Sequence, residues 1–297
     1  MNQKLKDSQR NSTPCFEFHV YSLPEYVLPI QNTPPKRTQS EPVQPKADVS
    51  GSALFNADCM DILPLIPDKS VQLILADLPY GTTNRNTWDE IIPFEPMWKE
   101  VNRIMVDNGA ILFCAGEPFT SKLICSNIKG FKYRWNWDKK IPSGMGYAKY
   151  RPMEQVEDIC VFEKNGNKTN YYPQMIKRDK PIKAGGNNVG SLNYGVFNGI
   201  EKKQRYDKTY DEKNPTTLIS FDKVRRGALH PTQKPVELMK YLISTYTKEN
   251  DLVLDFTMGV GTTCLGAKEL NRSFIGIEKE VKYYELAVGR VFGQHCH

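Results

Sequence analysis

The chain has 297 residues, 39% hydrophobic and 25% charged, enough for one large core or a core carrying an inserted module. It holds no run near the roughly 18 apolar residues of a membrane span and no apolar leader at its start, so a membrane partner and export are not expected and a cytoplasmic setting is. Seven cysteines in no paired spacing fit reduced thiols, the His295-Cys296-His297 tail is not expected to hold a metal, and the net charge of +6 is informative chiefly through its location.

Residues 1–52 are rich in Pro, Gln, Ser, Thr and Lys and read as a largely disordered arm, with residues 16–23 alternating like an edge strand that could dock on the core or on a second subunit. The folded part is expected from residue 53. Residues 54–58 read as a short strand ending in an acid, and 59–66 as a short helix closed by Pro67. Residues 71–76, apolar but for Gln72, read as a strand buried on both faces. That strand ends abruptly in Asp77, Leu78, Pro79, Tyr80 and Gly81. A carboxylate, a backbone held by Pro at a φ of about −65° and an aromatic ring thus leave a buried strand together. Open α/β sheets keep their ligands at such carboxyl ends. Two acceptors and a flat face suit the exocyclic amino group of a nucleobase.

Polar residues 84–90 read as a loop over that end, and apolar spacing predicts a helix over 94–105 with Trp98 in the core. A strand over 109–114, a helix over 118–128 and strands over 133–137 and 156–162 complete this half, residues 53–164. Strands alternating with helices predict a mainly parallel sheet covered on both faces. From residue 165 to 226 turn signals replace long apolar periods, and tyrosines lie among 13 Lys plus Arg against 6 Asp plus Glu. This segment holds more than the whole excess charge of the chain, the footprint of a nucleic-acid partner. Lys202, Lys203, Arg205, Arg225 and Arg226 within it, with Lys139 and Lys140 before it, are the candidate phosphate contacts.

The last part, residues 227–297, opens with a His-Pro-Thr-Gln-Lys-Pro stretch at 230–235 and a helix beginning beside Pro235. A buried strand then closes in Asp255 and a loop holding Gly259 and Gly261, followed by a helix over 264–270, a strand over 273–278 ending in Glu278, and a closing helix over 281–291. An acid about fifteen residues after a glycine loop has the spacing of a ribose-binding carboxylate.

Asp77-Leu78-Pro79-Tyr80, the 230–240 stretch, the Asp255 loop and the Glu278 strand stand in one order, and in that order the chain resembles the β-class amino-methyltransferases that act on DNA. The resemblance spans residues 53–290. It implies an α/β, Rossmann-like class I methyltransferase fold in circularly permuted motif order, with residues 165–226 as a small target-recognition insert. The implied cofactor is S-adenosylmethionine and the implied substrate an adenine flipped out of double-stranded DNA and methylated at N6. Asp77, Leu78, Pro79 and Tyr80 would hold the target base. Asp255 would face the cofactor ammonium, Glu278 the ribose, Asp58 the adenine ring, Thr232 or Lys234 the carboxylate end, and Gly259, Gly261 and Thr262 the close backbone approach.

The insert is short, so a whole site needs help from the loops after Gly81 and Pro142 or from a second subunit, and a homodimer stays open. Two departures stand out: Leu78 replaces the first proline of Asp-Pro-Pro-Tyr, which loosens the backbone but keeps the carbonyl, and Phe256-Thr257-Met258 replaces Pro-Phe-Ala. N4-cytosine methylation with the same architecture is the nearest alternative; an Asp at 77 leans towards adenine, where a Ser would lean towards cytosine. An inactive DNA-binding subunit would be expected to lack Asp77 or a loop glycine. A nicotinamide oxidoreductase would share the glycine loop but gives no reason for Asp77 to Tyr80. Carbon methylation of cytosine needs a cysteine beside a proline, and only Pro14-Cys15 in the arm offers that pair.

Overall fold

The structure, a computed structural model, describes residues 46–47, 51–81, 89–164, 166, 168–183 and 209–293. The edge-strand expectation for residues 16–23, the loop over 84–88, Lys202, Lys203, Arg205 and the His295-Cys296-His297 tail lie outside them. In chain order the elements are β1 (Lys46–Ala47), β2 (Ala53–Asn56), α1 (Cys59–Ile62), β3 (Val71–Asp77), α2 (Phe94–Ile104), β4 (Met105–Ala115), α3 (Phe119–Ser126), β5 (Phe131–Ser143) and β6 (Glu154–Glu163). Then come β7 (Ile176–Lys183), β8 (Thr209–Lys213), β9 (Leu218–Ser220), α4 (Val236–Tyr246), β10 (Leu252–Asp255), α5 (Thr262–Glu269), β11 (Ser273–Glu278) and α6 (Val281–Phe292).

Nine strands form one sheet in the order β1-β2-β11-β10-β3-β4-β6-β5-β9. The run from β2 to β4 is parallel throughout, whereas β6 is antiparallel to both β4 and β5. Side chains alternate between two cores with the period of a pleated strand. Leu73, Leu75, Ala110 and Leu112 pack under α4, α5 and α6. Ile74, Ala76, Ile111 and Phe113 face α1, α2 and α3 on the other side. Because both faces are covered, residues 73–76 of β3 and 110–115 of β4 read as unbroken apolar runs. Trp98 belongs to the second core, where its indole N–H donates to Ser126 Oγ at 2.8 Å.

The 165–226 segment holds more regular structure than its turn signals indicate. β7 and β8 form a separate antiparallel ribbon, and β9 adds a short parallel edge to β5. All five residues of β8 are exposed, so no apolar alternation marks the ribbon. At the other edge β1 pairs with β2, and Ser52 is fully buried, its Oγ accepting the Phe274 N–H at 3.2 Å. Ordered structure therefore reaches a few residues into the stretch expected to be disordered.

β10 and β3 are central neighbours, and the chain crosses from β10 to β11 on one side and from β3 to β4 on the other. That is a topological switch point, where such sheets open a crevice beyond the strand ends. Asp255 and Asp77 are the last residues of those two strands.

Candidate active site

A cleft of about 670 Å³ opens along this edge. Read across the sheet, its lining passes from Asp58 through Glu278, Asp255 and Asp77 to Glu157 and Lys139. Thr257 Oγ1 donates to the backbone carbonyl of Asp77 at 3.1 Å, which ties the glycine loop to the end of β3. The departure from Pro-Phe-Ala thus supplies a link between the two halves of the cleft.

Around Asp77 every acceptor is engaged. Tyr80 donates its hydroxyl to Oδ1 at 2.8 Å, and the Lys234 ammonium donates to Oδ2 at 2.7 Å. Burial, together with the Asp77 charge, pushes the Tyr80 phenol well above its ordinary range, so it stays protonated as a donor. Its ring stacks on Phe119 with centroids 5.2 Å apart. Leu78 is 3% exposed and sits in the core under α1 to α3, so side-chain burial anchors the backbone where a proline ring is missing. Cys114 lines the same wall, but burial and the neighbouring Asp77 charge push its thiol far up, out of reach of a thiolate nucleophile.

Towards β2 the lining changes character. Asp255 is buried, accepts the Thr257 N–H at 3.1 Å and has no ion pair among the described residues. Burial raises its carboxyl to about 7, against the opposing hydrogen bonds from Thr263 and Thr257. An opposite charge placed beside it would favour its ionised form. Glu278 accepts the Gly259 N–H at 2.9 Å and the Glu280 N–H at 2.8 Å, so it shapes the glycine loop while facing the cleft. Gly259 has a φ of +52°, and an added Cβ would meet nothing within 4 Å. The loop leaves open space for a ligand at that glycine. A buried unpaired carboxylate, a second acid and an open glycine loop fit S-adenosylmethionine.

A family model described as "DNA methylase", of the N6/N4 methyltransferase type, matches residues 71–289, well over half of the chain. The chain belongs to this family. As an N6/N4 DNA methylase it transfers a methyl group from S-adenosylmethionine to DNA. The type II methyltransferase M1.MboII of Moraxella bovis is 29% identical over 254 residues, covering 79% of this chain and 94% of its own. M.HindIII of Haemophilus influenzae is 26% identical over 306 residues, covering 80% and 94%. Among solved structures, the M1.HpyAVI–SAM complex superposes with a TM-score of 0.52 at 24% identity, over 80% of this chain and 98% of its own. The cytosine-N4-specific PvuII methyltransferase gives 0.57 at 16% identity, over 80% and 86%, a likeness of fold. The methylase fold is the expected one, a class I sheet whose glycine-loop strand β10 follows the Asp77 strand in the chain although the two lie side by side.

The structure brings Asp77, Leu78, Pro79, Tyr80, Asp58, Asp255, Gly259, Thr262, Glu278, Thr232 and Lys234 to this one cleft. Three of the expectations need revision in detail, and Asp58 has a second task. Asp58 caps α1, accepting the Met60 N–H at 2.9 Å, while its side chain stays at the cleft rim. Gly261 does not line the cleft; at φ +72° its missing side chain makes room for Ala287 of α6, which a Cβ would approach to 3.0 Å. The Lys234 ammonium rests on Asp77 rather than projecting freely towards a cofactor carboxylate. Lys139 is 4% exposed and paired with Glu157 at 3.0 Å, so it is a buried charge partner and not a phosphate contact. Lys140, next to it, is half exposed and pairs with Asp222 at 3.3 Å, and Arg225 and Arg226 are exposed. Glu157, which lines the cleft, and Phe119, a core ring behind Tyr80, are residues that sequence reasoning missed. The acidic pair Glu157-Asp158, ahead of the apolar run of β6, was the available signal for the first.

Proposed function

We propose that this methylase modifies N6 of an adenine flipped out of duplex DNA, as the modification enzyme of a type II system. Asp77 carries the reading: a carboxylate, not a neutral hydroxyl, ends β3 in the cleft that also holds Asp255 and Glu278. S-adenosylmethionine, when bound, supplies an electrophilic methyl group. The adenine amino nitrogen is a poor nucleophile because its lone pair is delocalised into the ring. Donating its N–H bonds to the Asp77 carboxylate and the Leu78 carbonyl favours the pyramidal nitrogen that attacks. The carboxylate also stabilises the positive charge developing there, so its contribution is positional and electrostatic. Forming the N–C bond would break the methyl–sulfur bond of the sulfonium, leaving a neutral thioether, and the cationic nitrogen would return to neutrality by losing a proton to water.

The amino group is out of reach inside a duplex, so the base leaves the stack. Tyr80, backed by Phe119, is the ring we assign to receive it. On the cofactor side Asp255 takes the ammonium, Glu278 the ribose, Asp58 the adenine ring and Thr232 the carboxylate end. After reaction with labelled cofactor and unmethylated DNA, nucleoside analysis is expected to find the label in N6-methyladenine. Label confined to N4-methylcytosine would leave the methylase assignment standing and overturn the choice of base.

The duplex is assigned to the basic segment 165–226, either in one chain or completed by a second copy. Neutralising Lys202, Lys203 and Arg205 together is expected to weaken binding to all sequences alike. It should also reduce the slope of log affinity against log salt, by about 0.9 for each phosphate that is no longer neutralised. Titrating fluorescent duplex across a salt series measures this. An unchanged slope moves the phosphate-binding role to Lys140, Arg225 and Arg226.

A further inference from the structure

Lys234 stands directly before Pro235, the N-cap of α4, and its ammonium is carried into the carboxyl edge of the sheet. It is 8% exposed, 2.7 Å from Asp77 Oδ2 and 3.5 Å from Glu157 Oε2. Glu157 in turn takes the buried Lys139 ammonium at 3.0 Å. Four charges of alternating sign, Asp77, Lys234, Glu157 and Lys139, therefore cross from β3 to β5 beneath one end of the cleft. Buried ion pairs repay little of their desolvation, so such a chain is a poor way to hold a sheet together. Burial alone would lower the Lys234 ammonium's affinity for its proton. The Asp77 and Glu157 carboxylates outweigh it and hold the group charged.

The two oxygens of Asp77 are held unequally. Both bonds run to an ionised acceptor and are charge-assisted, but only the buried Lys234 ammonium adds a full opposite charge, and breaking that pair would leave it facing Glu157 alone. Oδ2 thus keeps its partner, while Oδ1 exchanges the Tyr80 hydroxyl for a donor of similar kind. We propose that Lys234 is a positioning residue for methyl transfer: it clamps Asp77 through Oδ2, so that Oδ1 alone receives the target amino group, and Glu157 and Lys139 hold the clamp in place. This rests on the reading of Asp77 as acceptor for the amino group. It removes Lys234 from the cofactor carboxylate and gives Glu157 and Lys139 a task in the base-binding end of the cleft.

The test compares wild type, K234Q, K234R, D77N and the double variant D77N/K234Q, in cofactor binding by calorimetry and in single-turnover methylation of duplex DNA across pH. K234Q is expected to lose about 100-fold in rate, the scale for one preorganised polar group, with cofactor affinity within a few-fold of wild type. Its acid limb should move to higher pH, because a cation no longer opposes protonation of Glu157 beside it. The titratable groups facing that cation are Asp77, Glu157, Cys114 and His230. K234R should restore part of the rate and keep the wild-type limb. A rise in cofactor Kd at unchanged rate overturns the clamp and returns Lys234 to the cofactor. Where K234Q does not fold, the double variant removes both ends of the pair, and there too a raised cofactor Kd overturns the proposal. Full activity of K234Q with D77N inactive sinks the clamp alone; full activity of both sinks the reading of Asp77.

Discussion

Asp77→Asn is expected to bind S-adenosylmethionine within a few-fold of wild type and to lose two to three decades of single-turnover rate, roughly the 100- to 1000-fold attached to one preorganised charge-stabilising group. The amide keeps the shape of the carboxylate and one acceptor oxygen for the Lys234 ammonium, while its NH2 can donate to the Tyr80 hydroxyl oxygen. It no longer supplies the negative charge that balances the cationic nitrogen. Asp77→Ala should cost at least as much and also lower stability, because Lys234 is left buried with Glu157 at 3.5 Å as its remaining partner. Calorimetry of cofactor binding beside quenched single-turnover methylation separates the two effects. A rate within a few-fold of wild type for the Asn variant would remove Asp77 from the chemistry. A large loss of cofactor affinity would instead count against the clamp and place Asp77 at the cofactor end, through the Thr257 bond to its carbonyl.

The parts of this site that were legible in the sequence share one property: each is carried by a local run. β3, β10 and β11 are buried on both faces, so their apolar runs stop where the acids Asp77, Asp255 and Glu278 begin. The pairing of those acids with their partners is not local. Lys234 lies 157 positions from Asp77 and Thr257 lies 180, and no spacing rule connects them. For Lys139 a local signal existed and points the other way from its charge. In β5 the inward positions alternate as Trp135, Trp137 and Lys139, all buried, so period 2 places Lys139 on the core face and Lys140 outside. Counting it with the surface charges ignores the pleat. Gly261 is a different case, since its loop spacing is correct but the surface that needs the missing Cβ belongs to α6, contributed by Ala287 and Val291.

Cofactor affinity is expected to fall as pH drops below about 7, and Asp255→Asn to remove both the dependence and most of the affinity. In the free protein burial raises the Asp255 carboxyl to about 7, helped by the charges of Asp77 and Glu278 and opposed by hydrogen bonds from Thr263 and Thr257. An ammonium at that carboxylate favours its ionised form, so binding releases a proton wherever the free carboxyl is protonated. Affinity then weakens about tenfold per pH unit on the acid side. On the alkaline side it weakens again as the cofactor amine loses its charge at a pKa of about 8. The same burial acts on the empty fold. A carboxyl raised from its ordinary value of 3.8 to about 7 costs nothing below pH 3.8, where both states are protonated, and costs progressively more as pH rises through the interval. Above pH 7 the cost levels off at about 4 kcal/mol. Asp255→Asn removes it, and its amide still accepts from the Thr257 N–H, so the cofactor-free variant should melt above wild type at pH 8 and alongside it near pH 4. Saturating cofactor should then raise the wild-type midpoint and leave the variant's where it was. Melting curves at both pH values, with and without cofactor, decide the matter; a variant stabilised by cofactor as strongly as wild type would take the ammonium away from Asp255.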